Sequence, residues 1–274
     1  MKVITLFENR TISKEYKSSH GLSFYIETKE HKILFDTGTD DSFVYNSSKL
    51  GVNLEEVDIA VISHGHYDHG GGLEAFLKVN NKAKVYIGKG AFDNHLIKLL
   101  GIFNYNIGLK KELISSRFEF IDGIISIDDE LILFNNVEGN KLLPKGNDKL
   151  LKKRSDGSVK KDDFNHEINL LIKEDGKYSL FCGCAHRGII NIIDKAESIV
   201  DSNMNTVIGG FHLRGMKVSN PKSKIFLDEL SDSLNNSNVN RYYTCHCTGK
   251  EAYNHLSKNM NNLGELRTGD VVEI

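Results

Sequence analysis

The run His64-Gly65-His66-Tyr67-Asp68-His69 constrains this chain more than any other feature of it. Three imidazoles and a carboxylate follow directly on VDIAVIS, a continuous apolar stretch that reads as a strand buried on both faces. Gly70-Gly71-Gly72 comes next, where the backbone must approach something closely. Imidazole and carboxylate suit zinc and related divalent ions, and one short loop does not easily wrap four ligands around a single ion. Two adjacent ions are the natural solution, His64 and His66 serving one and Asp68 and His69 the other, with the remaining ligands arriving from distant parts of the chain. A histidine-rich surface turn is the plain alternative, and the buried strand before the motif and the glycines behind it speak against that.

Around this motif the pattern alternates. KVITLF, LSFYIET and HKILFDTG are short, β-branched or aromatic, and punctuated by polar residues, which predicts antiparallel strands. Beyond the motif the spacing predicts a helix over Leu73–Val79, a strand at KVYIG, a helical stretch around Phe92 to Leu100, and strands at FEFI, GIISI and ELILF. Residues 141–164 change character: Lys141, Lys145, Lys149, Lys152, Lys153, Arg154, Lys160 and Lys161 stand among Asp, Gly and Ser, which reads as an exposed basic arm or loop. Strand and helix then alternate through INLLIK, KYSLFCG, GIINIIDKAESIV, NTVIGG, PKSKIFLDELSDSL and RYYTCH. Two β-rich halves that each end in helices suggest sheets packed face to face with helices outside, in one domain spanning 1–274.

Composition narrows the function. With 35 basic against 37 acidic side chains and a net charge of -2, the chain has no global field to draw in nucleic acid or an anionic membrane. No segment approaches the roughly 20 apolar residues of a membrane span, and MKVITLFENR lacks the pattern of a signal peptide, so a cytoplasmic location is expected. The four cysteines fall in two C-x-C pairs, Cys182 with Cys184 and Cys245 with Cys247, each beside a histidine, and read as small buried side chains supporting a site.

SHGHYDHGGG resembles the H-x-H-x-D-H signature of the metallo-β-lactamase superfamily, and Phe35-Asp36-Thr37-Gly38 is similar to its early Asp-containing turn. Gly183-Cys184-Ala185-His186-Arg187-Gly188, Gly209-Gly210-Phe211-His212-Leu213 and Cys245-His246-Cys247-Thr248-Gly249 narrow the resemblance to the subgroup of 7,8-dihydropterin-6-methyl-4-(β-D-ribofuranosyl)aminobenzene-5'-phosphate synthases. The resemblance implies an α/β fold, the αββα sandwich of two mixed sheets with helices outside and metals at one edge. It implies Asp36 behind a metal-bound histidine, although a helix cap would account for Asp36 as well. It also implies His186 as third ligand beside His64 and His66, and His246 beside Asp68 and His69. Many members bridge their metals with an Asp after the second-half strand, where this chain reads Gly-Cys-Ala-His. Cys184, Glu167 or a hydroxide alone remain as candidates for the bridge.

The resulting expectation is a metal-dependent hydrolase with two divalent ions, zinc first and manganese or iron as alternatives, and a metal-bound hydroxide as nucleophile. Asp68 orients the nucleophile. His212, beyond NTVIGG and preceded by two glycines, stabilises developing negative charge, its ordinary alternative being a structural turn histidine. The substrate is expected to be a small phosphorylated, phosphoester or pterin-like molecule, which the basic arm draws in unless its charges are merely solvated. A di-iron redox protein of the same fold is the alternative reading, weakened because such proteins usually carry an acid where His66 stands.

Overall fold

The computed structural model describes residues 1–100, 102–154 and 156–274. The first half contains β1 (Lys2–Phe7), β2 (Ser23–Glu27), β3 (Lys32–Phe35), α1 (Ser42–Lys49), β4 (Ile59–Ile62), α2 (Tyr67–Gly70), α3 (Leu73–Val79), β5 (Lys84–Gly88), β6 (Asn94–Leu99), β7 (Phe103–Asn106), β8 (Phe118–Ile121), β9 (Ile124–Ser126) and β10 (Leu131–Phe134). There follow β11 (Leu150–Lys153), β12 (Val159–Lys161), β13 (Asn169–Glu174), β14 (Lys177–Phe181), α4 (Ile189–Val200), β15 (Met204–Gly209), α5 (Pro221–Asn235), β16 (Arg241–Thr244), α6 (Lys250–Asn259), β17 (Leu263–Glu265) and β18 (Val271–Glu273).

Two seven-stranded mixed sheets form, in the orders β18-β1-β2-β3-β4-β5-β8 and β17-β16-β15-β14-β13-β10-β9. Strand β4 is buried throughout and pairs in parallel with β3 and β5, which is why its sequence is apolar without alternation. Phe24, Ile26, Phe35 and Val61 from the first sheet pack with Leu133, Leu170, Phe181 and Ile208 from the second, so the sheets share a dry interface. On the outer face of the second sheet, α4 turns Ile189, Ile192, Ile193 and Ala196 inward at helical spacing. Helix α5 starts at Pro221, with the Asn220 side chain accepting from the N–H groups of Lys222 and Ser223. Phe43 of α1 and Leu73 and Phe76 of α3 cover the outer face of the first sheet. The architecture is the expected α/β sandwich.

Two local expectations differ from the structure. The stretch around Phe92 to Leu100 is strand β6 rather than helix, and residues 141–164 supply strands β11 and β12 rather than only a loop. The reason is the same for both: β6 pairs with β11, Leu150 opposite Ile97 and Lys152 opposite His95, completing a four-stranded sheet in the order β12-β11-β6-β7. A short apolar run does not distinguish strand from helix by period, and here the deciding partner lies far away in sequence. The basic side chains of the arm stay at the surface while Leu150 and Phe164 are buried beneath them.

In each main sheet, parallel strands present their C-terminal ends to one edge. β3 and β4 deliver Asp36 and the H-x-H-x-D-H loop, while β14, β15 and β16 deliver His186, His212 and His246. Open sheets gather their functional residues at such ends.

Candidate metal centre

The motif leaves β4 at Ser63, and Asp36 organises the turn beyond it. Its carboxylate accepts from the Ser63 N–H at 2.7 Å, from the Ser63 hydroxyl at 2.8 Å and from Nδ1–H of His69 at 2.6 Å. Asp36 therefore caps no helix, and it holds φ at 60° in order to reach these groups. Gly65 and Gly71 are needed for space: a Cβ at Gly65 would lie 2.1 Å from the carbonyl oxygen of Ala91, and one at Gly71 would lie 2.1 Å from that of Thr39. The tight turn leaves His64, His66, Asp68 and His69 buried together.

The hydrogen bonds fix which nitrogen of each ring carries its proton. Because the Ser63 hydroxyl donates to Asp36, it accepts from Nδ1–H of His64 at 2.9 Å. Nδ1–H of His186 donates to Oδ1 of Asn147 at 3.0 Å, and Nδ1–H of His246 donates to Oδ1 of Asn9 at 2.9 Å. The Nε2 atoms of His64, His186 and His246 are thereby left with lone pairs, as is that of His69 whenever its ring is neutral, yet they meet head on. Nε2 of His64 lies 3.4 Å from that of His186, and Nε2 of His69 lies 3.1 Å from that of His246. Asp68 Oδ2 joins the second pair, 3.2 Å from Nε2 of His246 and 3.8 Å from that of His69.

Lone pairs facing at these distances repel unless a proton or a metal cation lies between them. Donors bound tetrahedrally at about 2.0–2.1 Å stand about 3.3–3.4 Å apart, so the spacing suits a metal such as zinc. A ring nitrogen of His66 joins His64 and His186, while Nε2 of His66 is buried without any partner. Burial, followed by the neighbouring imidazoles His69, His66 and His186, pushes His64 well below its ordinary pKa. Burial likewise lowers His66 and His186 against the pull of nearby carboxylates, so these rings are neutral and need release no proton to bind a metal. His69 goes the other way: burial opposes its charge, but Asp36 and Asp68 outweigh that and raise it to about 9, marking its pocket as one that attracts positive charge. The donor set fits two divalent ions, in the groups His64, His66, His186 and Asp68, His69, His246.

Of the other residues singled out from sequence, Cys184 lies at the seam. Its sulfur is 3.2 Å from Nε2 of His69 and within 4.8 Å of the donor nitrogens of both His64 and His69. Glu167 faces away from this point: its two oxygens accept the backbone N–H groups of His186 and Arg187 at 2.7 and 3.0 Å, and burial raises its carboxyl to about 7. His212 stacks obliquely on His186 with centroids 4.2 Å apart, and its Nδ1 is buried with no partner. Ala185, His212 and His246 have φ of 52°, 50° and 49°, left-handed conformations that cost roughly 1–3 kcal/mol each and persist only where the surroundings enforce them. All four cysteines are buried and free.

Sequence reasoning missed His20, His95, Asp162 and His166. His20 Nε2 sits 3.1 Å from Asp68 Oδ2 and its ring stacks on His246 at 4.7 Å. Each is an isolated residue in an unremarkable segment, and the one available signal was cumulative: of the 11 histidines, only His31 and His255 lie away from this centre.

A cleft of about 510 Å³ opens over the centre. Ile97, Leu99, Tyr105 and Leu150 of the small sheet form an apolar wall, and Lys149 and Arg214 stand at its mouth. Among the described residues, no helix is long and apolar enough to cross a membrane.

Residues 18–130 match the metallo-beta-lactamase superfamily. The chain is 30% identical over 269 residues to the 7,8-dihydropterin-6-methyl-4-(beta-D-ribofuranosyl)-aminobenzene-5'-phosphate synthase of Methanocaldococcus jannaschii, covering 93% of this chain and 90% of that protein. An uncharacterized protein of the same organism is also 30% identical, over 99% of this chain and 100% of its own length. The crystal structure of a metal-dependent hydrolase of the beta-lactamase superfamily superposes with a TM-score of 0.82 at 27% identity, covering 100% of this chain and 99% of that one.

Proposed function

The chain belongs to the metallo-beta-lactamase superfamily, and from that premise we propose that it is a hydrolase working with two divalent metal ions on a small phosphorylated substrate. The observation that carries this reading is the two pairs of opposed imidazole nitrogens, His64 against His186 and His69 against His246, with Asp68 beside the second pair, at the foot of an open cleft. His64, His66 and His186 would hold one ion, and Asp68, His69 and His246 the other. Cys184, at the seam, is the bridging candidate that its position favours over Glu167. When bound, such ions polarise the group under attack and lower the pKa of a water.

The protein's own residues do the rest. Asp36 fixes the His69 ring from behind, and Asn9 and Asn147 do the same for His246 and His186. Asp68 orients the attacking water by accepting its hydrogen bond. His212, with an unpartnered Nδ1 beside His186, donates to an oxygen of the substrate. Lys149 and Arg214 pair with a phosphate, while Tyr105 and Ile97 cover a flat ring. The M. jannaschii relative is named for a product that joins a dihydropterin to a ribofuranosylaminobenzene phosphate, which supports a ligand with pterin-like or phosphorylated parts.

That relative is named a synthase, which favours bond formation at the same centre as a second reading. Protein reconstituted with zinc, manganese or iron and offered a panel of phosphomonoesters, cyclic phosphodiesters, lactones and thioesters separates the two. Release of phosphate or ring opening of a cyclic phosphodiester supports hydrolysis. Absence of phosphoester turnover while a lactone or thioester is cleaved overturns the phosphate assignment, and a stoichiometric iron centre that cycles colour without any hydrolysis favours redox chemistry.

A further inference from the structure

Behind the H-x-H turn lies a second buried polar centre that the proposed reaction does not use. It consists of His95 from β6, Asp162 just past β12 and His166 just before β13, and all three side chains are 0% exposed. Asp162 Oδ2 accepts from Nδ1–H of His95 at 2.8 Å and faces Nε2 of His166 at 3.4 Å. Nδ1 of His166 accepts the backbone N–H of Gly65 at 3.0 Å, so its proton sits on Nε2 and points at Asp162. Nε2 of His95 meets the carbonyl oxygen of Gly90 at 3.1 Å, so both nitrogens of that ring face acceptors. Burial alone would raise the Asp162 carboxyl, but the hydrogen bonds from His166 and His95 outweigh it and hold the group well below the ordinary carboxylate range.

One ring nitrogen of His66 lies within 4.8 Å of the donor atoms of His95, Asp162 and His166, and Nε2 of His66 is the buried nitrogen with no partner. Three imidazoles and a carboxylate so close together suggest a third metal ion, but the protons are arranged against it. His166 has turned its one lone pair to Gly65, and both nitrogens of His95 are turned to acceptors, not to a metal position. Oδ2 of Asp162 accepts from both rings and Oδ1 accepts the backbone N–H of Phe164 at 2.9 Å, so the spare capacity of the cluster is the remaining lone pair of Oδ1, and the nearby buried group without a partner is Nε2 of His66.

We propose that Asp162 is a positioning residue for the metal centre, taking the Nε2 proton of His66 so that Nδ1 of that ring is left for the ion shared with His64 and His186. The hydrogen bonds from His95 and His166 hold the Asp162 carboxylate in place, and His166 also clamps Gly65, the residue between the two ligands. The small sheet of β6, β7, β11 and β12 thus has a second role besides walling the cleft: it carries the outer support of one metal ligand. Carboxylates behind ligating histidines orient the ring and raise its basicity.

The inference rests on the two-ion reading above, and the test keeps the two apart. Zinc affinities of wild type and Asp162→Asn are measured by chelator competition on the otherwise intact chain, with cobalt(II) spectra recorded in parallel. The expected result is a loss of about 10- to 100-fold in affinity for one ion, with the other unchanged and the cobalt spectrum altered in one half only. In metal-loaded wild type, isotope-edited NMR is expected to show a slowly exchanging His66 Nε2 proton, a readout that stands even if the variant fails to fold. Wild-type affinity for both ions in the variant, or a His66 Nε2 without a protected proton, overturns the role of Asp162 and leaves the two-ion reading intact. A third ion bound by wild type and lost in the variant makes the cluster a metal site and overturns the proposal. A wild-type chain that takes up no ion overturns both readings.

Discussion

The two halves of the centre are built in opposite ways. The N-terminal half places His64, His66, Asp68 and His69 on one tight turn after one buried strand, with glycines wherever the backbone is crowded. The C-terminal half collects His186, His212 and His246 from the ends of three neighbouring parallel strands. It has crowded glycines of its own at Gly183, Gly209 and Gly210, but also left-handed φ at Ala185, His212 and His246, where the first half has one such residue, Asp36. The first half depends on local sequence and close packing. The second depends on the sheet being assembled in register and on backbone strain held by its surroundings.

This contrast predicts effects of decreasing size. The largest is His66→Ala, which removes a proposed ligand together with the ring that Asp162 is proposed to support; kcat/KM is expected to fall on the order of 10³-fold or more, as when an essential catalytic group is lost. A variant that keeps full metal content and full activity would mean that the N-terminal turn holds no metal. Next is Asp36→Asn, which leaves the fold's space filled but weakens the hydrogen bonds to Ser63 and His69. Metal affinity should drop about 10- to 100-fold, measured by chelator competition. An unchanged affinity would mean that the tautomer of His69 is set by something else.

Gly65→Ala tests packing in the turn. Its Cβ would lie 2.1 Å from the Ala91 oxygen, so thermal unfolding should report a loss of about 1–3 kcal/mol, with metal affinity reduced as the turn shifts. The smallest effect belongs to the other half: Ala185→Gly removes the cost of a left-handed alanine and should stabilise the metal-free protein by at most about 1 kcal/mol. If it destabilises instead, strain at that turn is not a feature of the second half.

The same contrast explains what was legible in the sequence. The H-x-H-x-D-H turn is contiguous, so its residue types and its glycines mark a candidate metal site before any fold is known. His186, His212 and His246 were legible because each follows a strand-like run, and Asp36 because its turn has a recognisable form. His95, Asp162 and His166 were not legible, because they meet only when β6 pairs with β11, a pairing that itself overrode the helical reading of residues 92–100 and the loop reading of 141–164. Asn9 and Asn147 were hidden for the same reason: their roles exist only once loops distant in sequence close over the ring nitrogens.

Whether metal ions separate the opposed imidazoles is tested most directly by titrating metal-free protein with zinc, followed by calorimetry and elemental analysis. Two ions per chain are expected, with His246→Ala reducing the count to one and bound zinc raising stability by about 2.7 kcal/mol at a free concentration 100 times Kd. A chain that binds no zinc, or whose stoichiometry is the same in wild type and His246→Ala, would contradict the two-ion reading.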